Sequence, residues 1–148
     1  MEFQSGKTVE QNKGNNNGYP VCKMTIHLTK HVNSWTYIGD DKIILGGNEE
    51  MKLFEGQSKL ITKVSKEHNG RINCLIKLSD GRLASGGQDN TIKIWDINKK
   101  EILFNLKGHT SIIRDIRELE ENKLIPASDD NSCKIWDLNE KRIIYFIF

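Results

Sequence analysis

Several things are scarce in this chain. There are three cysteines, Cys22, Cys74 and Cys133, an odd number spread far apart. That is no disulfide framework; it fits buried thiols in a reducing compartment, so a cytoplasmic or nuclear location is expected. No apolar run approaches the ~20 residues of a membrane span, and the N-terminus has no apolar stretch of signal-peptide type. Neither charge sign dominates: 22 Lys and Arg stand against 20 Asp and Glu, a net charge of +2. Lys and Glu are interspersed as on a solvated surface, so nothing calls for nucleic acid or a membrane as partner. A convincing amphipathic helix is also missing. The one contender, "RDIRELEENK" from Arg114 to Lys123, reads as strand plus turn because of the repeat described below. What is present is a chain of 148 residues, 36% apolar and 28% charged, enough for one small domain with a core. Residues 1–18, "MEFQSGKTVEQNKGNNNG", are polar and rich in Asn and Gly and read as a disordered tail.

The chain writes one phrase twice. "SGGQDNTIKIWDINKK", from Ser85, returns as "ASDDNSCKIWDLNEK", from Ala127. Trp95 and Trp136 are 41 residues apart, and Phe54-Glu55, a worn copy of Trp-Asp, stands 41 before Trp95. His27, His68 and His109 keep the same step. Two markers sharing one period identify a repeat. Inside each unit the pattern is β. "RINCLIKL" puts Ile72, Cys74, Ile76 and Leu78 on one face. "RLASGG" follows the turn Ser79-Asp80-Gly81. "NTIKIWD" puts Ile92 and Ile94 opposite Lys93 and Trp95, and "EILFNL" follows the turn Asn98-Lys99-Lys100. Four short strands with tight turns make an antiparallel meander of about forty residues.

These units resemble WD repeats, the four-stranded blades of β-propellers. The expected fold is all-β, with about three blades at residues 27–67, 68–108 and 109–148. An additional outer strand is expected at residues 19–26, in an open or incomplete ring. The second unit carries the resemblance best, with Glu67 where Gly is usual before His68; the third has Gly108-His109, Asp130 and Trp136-Asp137. The first has no Trp-Asp and is one residue short between Gly47 and Phe54.

The resemblance implies a structural hydrogen-bonded tetrad in each blade. In the second unit it comprises His68, Ser85, Asp89 and Trp95. In the third, His109, Asp130 and Trp136 remain, but Pro126 occupies the hydroxyl position and Ser128 is the candidate substitute. The first offers His27, Leu45, Asn48 and Phe54, which cannot form the chain, so apolar packing alone should hold that blade. A Ser/His/Asp constellation of this kind is structural, and no catalytic residue is expected. Three blades are fewer than the four to eight that close a ring. The chain is then a truncated propeller, which its apolar end at Phe148 favours, or several chains build one ring.

Other motifs are weaker. "SGKT" at Ser5–Thr8 has Met1 where a phosphate-binding loop needs its first Gly, and "HLTKH" lacks the Glu of a zinc protease. No cofactor or metal is implied. The pairs Lys99-Lys100 and Lys141-Arg142 read as solvated turn residues. The implied function is a non-enzymatic scaffold for protein–protein interaction. A partner would dock on a rim formed by Asn69, Arg71 and Gln88 with Thr110, Ser111 and Asp129, and the side chains of Gln88 and Asp129 should point outward. Alternatives are a fragment without independent function, the substrate-recognition part of a ubiquitin ligase, or an enzyme. Asn98 and Asn139, where ligase adaptors of this family carry Arg, argue against the ligase reading.

Overall fold

A computed structural model describes residues 31–56, 58 and 60–147. The expected tail at 1–18, the outer strand at 19–26 and His27 lie outside the described residues. The rest forms three four-stranded antiparallel meanders. The first contains β1 (Ser34–Gly39), β2 (Lys42–Gly46), β3 (Met51–Glu55) and β4 (Leu60–Ser65). The second contains β5 (Ile72–Lys77), β6 (Leu83–Gly87), β7 (Thr91–Asp96) and β8 (Glu101–Lys107). The third contains β9 (Ile113–Glu120), β10 (Lys123–Ser128), β11 (Cys133–Asp137) and β12 (Arg142–Ile147). Among the described residues the sheets do not close into a ring. The segment Arg114–Lys123 is strand and turn, as the repeat requires.

The turns are built by the repeated polar residues. Asp96 Oδ1 accepts the amides of Asn98 and Lys99 at 3.0 and 3.1 Å, and Asp137 Oδ1 those of Asn139 and Glu140 at 2.8 and 2.9 Å. The Asp of each Trp-Asp pair is thus the cap of the β7–β8 or β11–β12 turn. Lys100 and Lys141 carry the left-handed residue of those turns, with φ of 58° and 54°. The Lys pairs are not merely solvated: Lys141 Nζ lies 4.9 Å from the centroid of Phe104, a cation–π contact between the second and third sheets.

The sheets pack face to face, and both junctions use the same positions. Ile44, Met51 and Leu53 of the first sheet meet Ile72, Leu75, Leu83 and Trp95 of the second. Cys74, Ala84, Ile92 and Ile94 on the other side of the second sheet meet Ile113, Ile116, Leu124 and Trp136 of the third. The second sheet is therefore covered on both faces, which explains why Ile92, Lys93, Ile94 and Trp95 are all buried. Gly46 and Gly86 allow the close approach. A Cβ on Gly46 would lie 2.9 Å from both Ile72 Cγ2 and Leu75 Cδ1. One on Gly86 would lie 2.6 and 2.8 Å from Ile113 Cγ2 and Ile116 Cδ1.

Two expectations need correction. Strict alternation placed Ile72 with Cys74, but the β5–β6 register shifts between them. The bulge sends Ile72 to the first junction, with Leu75, while Cys74 faces the second. The first sheet is also held by more than apolar packing. Ser34 Oγ donates to Ile72 O at 2.9 Å, Ile72 N–H donates to Gly47 O at 3.0 Å, and Asn48 forms a β-bridge with Arg71.

Candidate functional site

In the second sheet four side chains from separate elements meet. His68, before β5, places Nδ1 2.9 Å from Asp89 Oδ2 and Nε2 2.6 Å from Ser85 Oγ. Trp95 Nε1–H donates to Ser85 Oγ at 2.8 Å. The directions follow from the groups. An indole N–H only donates, so Ser85 Oγ accepts from it and passes its own hydrogen to His68 Nε2; the remaining ring N–H, on Nδ1, donates to Asp89. Burial works to raise the Asp89 carboxyl. Hydrogen bonds from His68, the Thr91 hydroxyl and the Asn69 amide outweigh it and hold the group well below the usual carboxylate range. Each buried polar atom of this relay has a partner, and every hydrogen is spent on structure.

The third sheet repeats the outer half of the relay and loses the inner half. His109 Nδ1 lies 2.7 Å from Asp130 Oδ2, which also accepts the Thr110 amide at 3.0 Å. Pro126 pairs with Ile116 as Ser85 pairs with Leu75, so it occupies the hydroxyl position. His109 Nε2 and Trp136 Nε1 are buried without a partner among the described residues. The proposed substitute does not reach them. A register shift between Ala127 and Ser128 turns Ser128 to the strand end. There its Oγ donates to Ser111 O at 3.1 Å and accepts the Asp130 amide at 3.2 Å. The ladder between β10 and β11 also skips Ile125 and Pro126, as a proline without an amide hydrogen requires.

Sequence reasoning missed Lys134. It is buried with Nζ 3.1 Å from Asp130 Oδ2, 3.2 Å from His109 Nδ1, and bonded to Ser132 Oγ. Burial, with help from this ammonium, outweighs the pull of Asp130 and holds His109 below its usual 6.5. Burial would raise the Asp130 carboxyl, but donors from Ser132, His109, Thr110 and Lys134 hold it far below the ordinary range. In the first sheet Leu45 pairs with Lys52 as Ser85 pairs with Lys93, so an aliphatic chain stands in the hydroxyl position.

The His–Asp pairs lie at one edge, where they tie the loops before β5 and β9 to the β6–β7 and β10–β11 turns. Gln88 N–H donates to Arg71 O at 2.9 Å and, one repeat on, Asp129 N–H donates to Ile112 O at 2.9 Å. Asn90 Nδ2 reaches Thr110 O at 3.4 Å and joins the edges of the two sheets. Asn69, Arg71, Gln88, Thr110 and Asp129 are exposed on this rim and Ser111 is half-buried. Gln88 and Asp129 are exposed, and each also has a hydrogen-bond partner within the rim. Gln88 Oε1 accepts the Arg71 amide at 3.3 Å. Asp129 is clamped by Arg114 Nε at 2.8 and 3.0 Å. Arg114, hidden from sequence reasoning inside a strand pattern, is thus part of the rim. Among the described residues no cluster of His, Cys, Asp and Glu has the arrangement of a metal site.

Comparison with known proteins agrees with this geometry. The family "WD domain, G-beta repeat" matches residues 58–96 and 100–137. The methylosome protein WDR77 of Xenopus laevis is 29% identical over 89 residues, which are 56% of this chain and 27% of that protein. A guanine nucleotide-binding protein subunit beta-like protein of Encephalitozoon cuniculi is 35% identical over 71 residues, 43% of this chain and 21% of that protein. The chain therefore spans about a quarter of the length of these relatives. The WD40 repeats of RRP9 superpose with a TM-score of 0.69 at 20% identity, over 82% of this chain and 40% of that one; this likeness concerns the fold. With the family matched over half its length, and the repeated Trp-Asp turns and His–Asp ties in place, the chain belongs to the WD-repeat family.

Proposed function

We propose that this protein is a non-enzymatic interaction scaffold and that a protein partner docks on the rim formed by Asn69, Arg71, Gln88, Thr110, Ser111 and Asp129. One observation carries the reading. Exposed, chemically varied side chains sit on loops whose backbone is tied down by buried His68–Asp89 and His109–Asp130 pairs. A partner binding such loops loses little to their ordering. The differences between units fit a binding face: an amide at Gln88 corresponds to an Arg-clamped carboxylate at Asp129. The relay residues that could suggest hydrolysis are consumed by one another, which supports a scaffold over an enzyme. The reducing compartment suggested by the cysteines makes the cytoplasm the proposed location.

The test is affinity capture with the wild-type chain and an Arg71→Ala, Gln88→Ala, Asp129→Ala triple variant. A Lys99→Ala, Lys100→Ala variant of the opposite rim serves as control. Loss of a partner in the triple variant alone is expected. Loss in the control alone assigns binding to the other rim, and retention in both sinks docking on either.

A further inference from the structure

The loop that leads into β5 carries an Asn-Gly pair. Asn69-Gly70 lies between His68 and Arg71, and Asn69 is exposed. The backbone here is held on both sides. The Asn69 amide donates to Asp89 Oδ2 at 3.1 Å. Gly70 O accepts the Glu49 amide at 2.8 Å, which joins the loop to the β2–β3 connection of the first sheet. Arg71 N–H donates to Gln88 Oε1 at 3.3 Å, and Arg71 O accepts the Gln88 amide at 2.9 Å. Two groups are left over. Neither the Asn69 side-chain amide nor the Gly70 N–H has a partner among the described residues. Gly70 has no side chain to shield its nitrogen, and its φ of 121° favours glycine.

We propose that Asn69-Gly70 is a self-modification site, at which the chain loses the Asn69 side-chain amide by hydrolysis through a cyclic imide. The Gly70 nitrogen, once hydroxide has taken its proton, attacks Asn69 Cγ. The N–Cγ bond forms, the Cγ–Nδ2 bond breaks, and ammonia leaves with a proton from water. A further water opens the imide. Opening at Cγ gives aspartate. Opening at the main-chain carbonyl gives isoaspartate, with the chain routed through Cβ and Cγ. Water is consumed and ammonia released, and no oxidant or cofactor takes part. The two groups without partners are the two reactants. Arg71, whose guanidinium has no carboxylate partner among the described residues, follows directly on the nitrogen that becomes negative.

Either product adds a carboxylate beside that of Asp89, which already accepts from the His68 ring at 2.9 Å and from the Asn69 amide. Isoaspartate also lengthens the main chain by a methylene group. The loop has little slack for it. A Cβ on Gly87 would lie 2.4 Å from Arg71 O, and one on Gly70 would lie 3.0 Å from Gln88 Cβ. The residue displaced is Gly70 itself, whose carbonyl then leaves the Glu49 amide. The modification thus loosens the rim of the first junction. The new charge also lands on the face proposed above for docking, but neither the reaction nor the loosening rests on that reading.

Ageing the 148-residue chain at physiological temperature, at several pH values from neutral to mildly alkaline, tests the proposal. Peptide mapping with electron-transfer fragmentation separates asparagine, aspartate and isoaspartate. The other Asn-Gly pair of the sequence, Asn17-Gly18, serves as an internal clock. Conversion at position 69 in the folded chain is expected, rising with hydroxide and with isoaspartate as the larger product. An isoaspartate-rich fraction, isolated by ion exchange from an aged Asn17→Gln chain, should lose hydrogen-exchange protection at the Glu49 amide. A chain that also carries Asn69→Gln should keep it through the same ageing. An intact Asn69 once Asn17 has been converted overturns the proposal, as does conversion in the urea-unfolded chain alone. Unchanged protection at Glu49 in the isolated fraction overturns the loosening.

Discussion

Three residues decide how well each blade is wired: the hydroxyl that bridges Trp to His, the His itself, and its Asp. Ser85 serves the second blade, whereas Pro126 leaves His109 Nε2 and Trp136 Nε1 without partners among the described residues and opens the β10–β11 ladder. Ser85→Ala should create the third blade's defect in the second. Leaving a buried polar group unsatisfied costs about 1–3 kcal/mol, and the same order is expected as lost stability in urea unfolding. Pro126→Ser should do the reverse. It offers the missing hydroxyl and an amide for the ladder, at a cost of about 0.4–1 kcal/mol from the freer unfolded chain. A net gain of about 1–2 kcal/mol is expected, and no gain would show that the two orphaned groups are satisfied in another way.

Acid should unfold the protein in two stages. His109 binds its proton near 6.5 when unfolded but only at lower pH when folded. The unfolded state therefore takes up the proton first, and stability falls as pH drops below 6.5. Asp89 and Asp130 stay ionised in the folded chain below their usual 3.8. Their contribution, complete above 3.8, is lost as pH falls further. Melting temperature against pH should show both declines. His109→Gln should flatten the first and Asp89→Asn should reduce the second.

At the scale of elements, the sheets depend on close approach at β2 and β6. Gly86→Ala would put a methyl group 2.6–2.9 Å from Ile113 Cγ2, Ile116 Cδ1 and Cys74 Sγ. Overpacking of this kind costs about 1–3 kcal/mol. Loss of that size in thermal or chemical unfolding is expected, with a smaller loss for Ala127→Gly, which crowds nothing among the described residues. Much at this scale was legible beforehand. The turns followed from Ser79-Asp80-Gly81 and Asn98-Lys99-Lys100, and the strands from the alternation in residues 71–78 and 90–96 carried along the repeat, whereas the capping by Asp96 and Asp137 did not. The bulge at Ile72–Cys74 was not legible, because its signal is a register shift against β6 rather than any residue in β5. The engagement of Gln88 and Asp129 was equally hidden. It depends on Arg71 and Arg114, which lie 17 and 15 residues away along the chain.

For the molecule as a whole, the second sheet is the keystone, since it alone among the described sheets is packed on both faces. Repeat proteins owe their stability to such neighbour contacts. In native-state hydrogen exchange, the amides of β6 and β7 should be the last to open, before those of β2 or β11 in either flanking sheet. Cys74 gives an independent probe. Burial, followed by the Asp115 charge, pushes its thiol up to about 12. It should resist alkylation until the second junction opens, while half-buried Cys133 reacts earlier; peptide mapping after timed labelling distinguishes the two. Equal rates at both thiols would remove the case for a more stable second sheet.

The sequence by itself determined the period, the β architecture, the number of units and the positions of His68, Ser85, Asp89 and Trp95. The first three are written in local spacing and repeats along the chain, and the four residues follow from the family resemblance that the repeats carry. Only the tertiary structure decided that Ser128 does not replace the missing hydroxyl, that Lys134 is buried beside His109, and that the rim carboxylate at Asp129 is already paired. It also decided which surfaces the described residues leave uncovered. A side chain's partners across a junction are about forty residues away in the chain, and burial is a property of what packs against a face. Neither is carried by the local pattern that makes the face apolar.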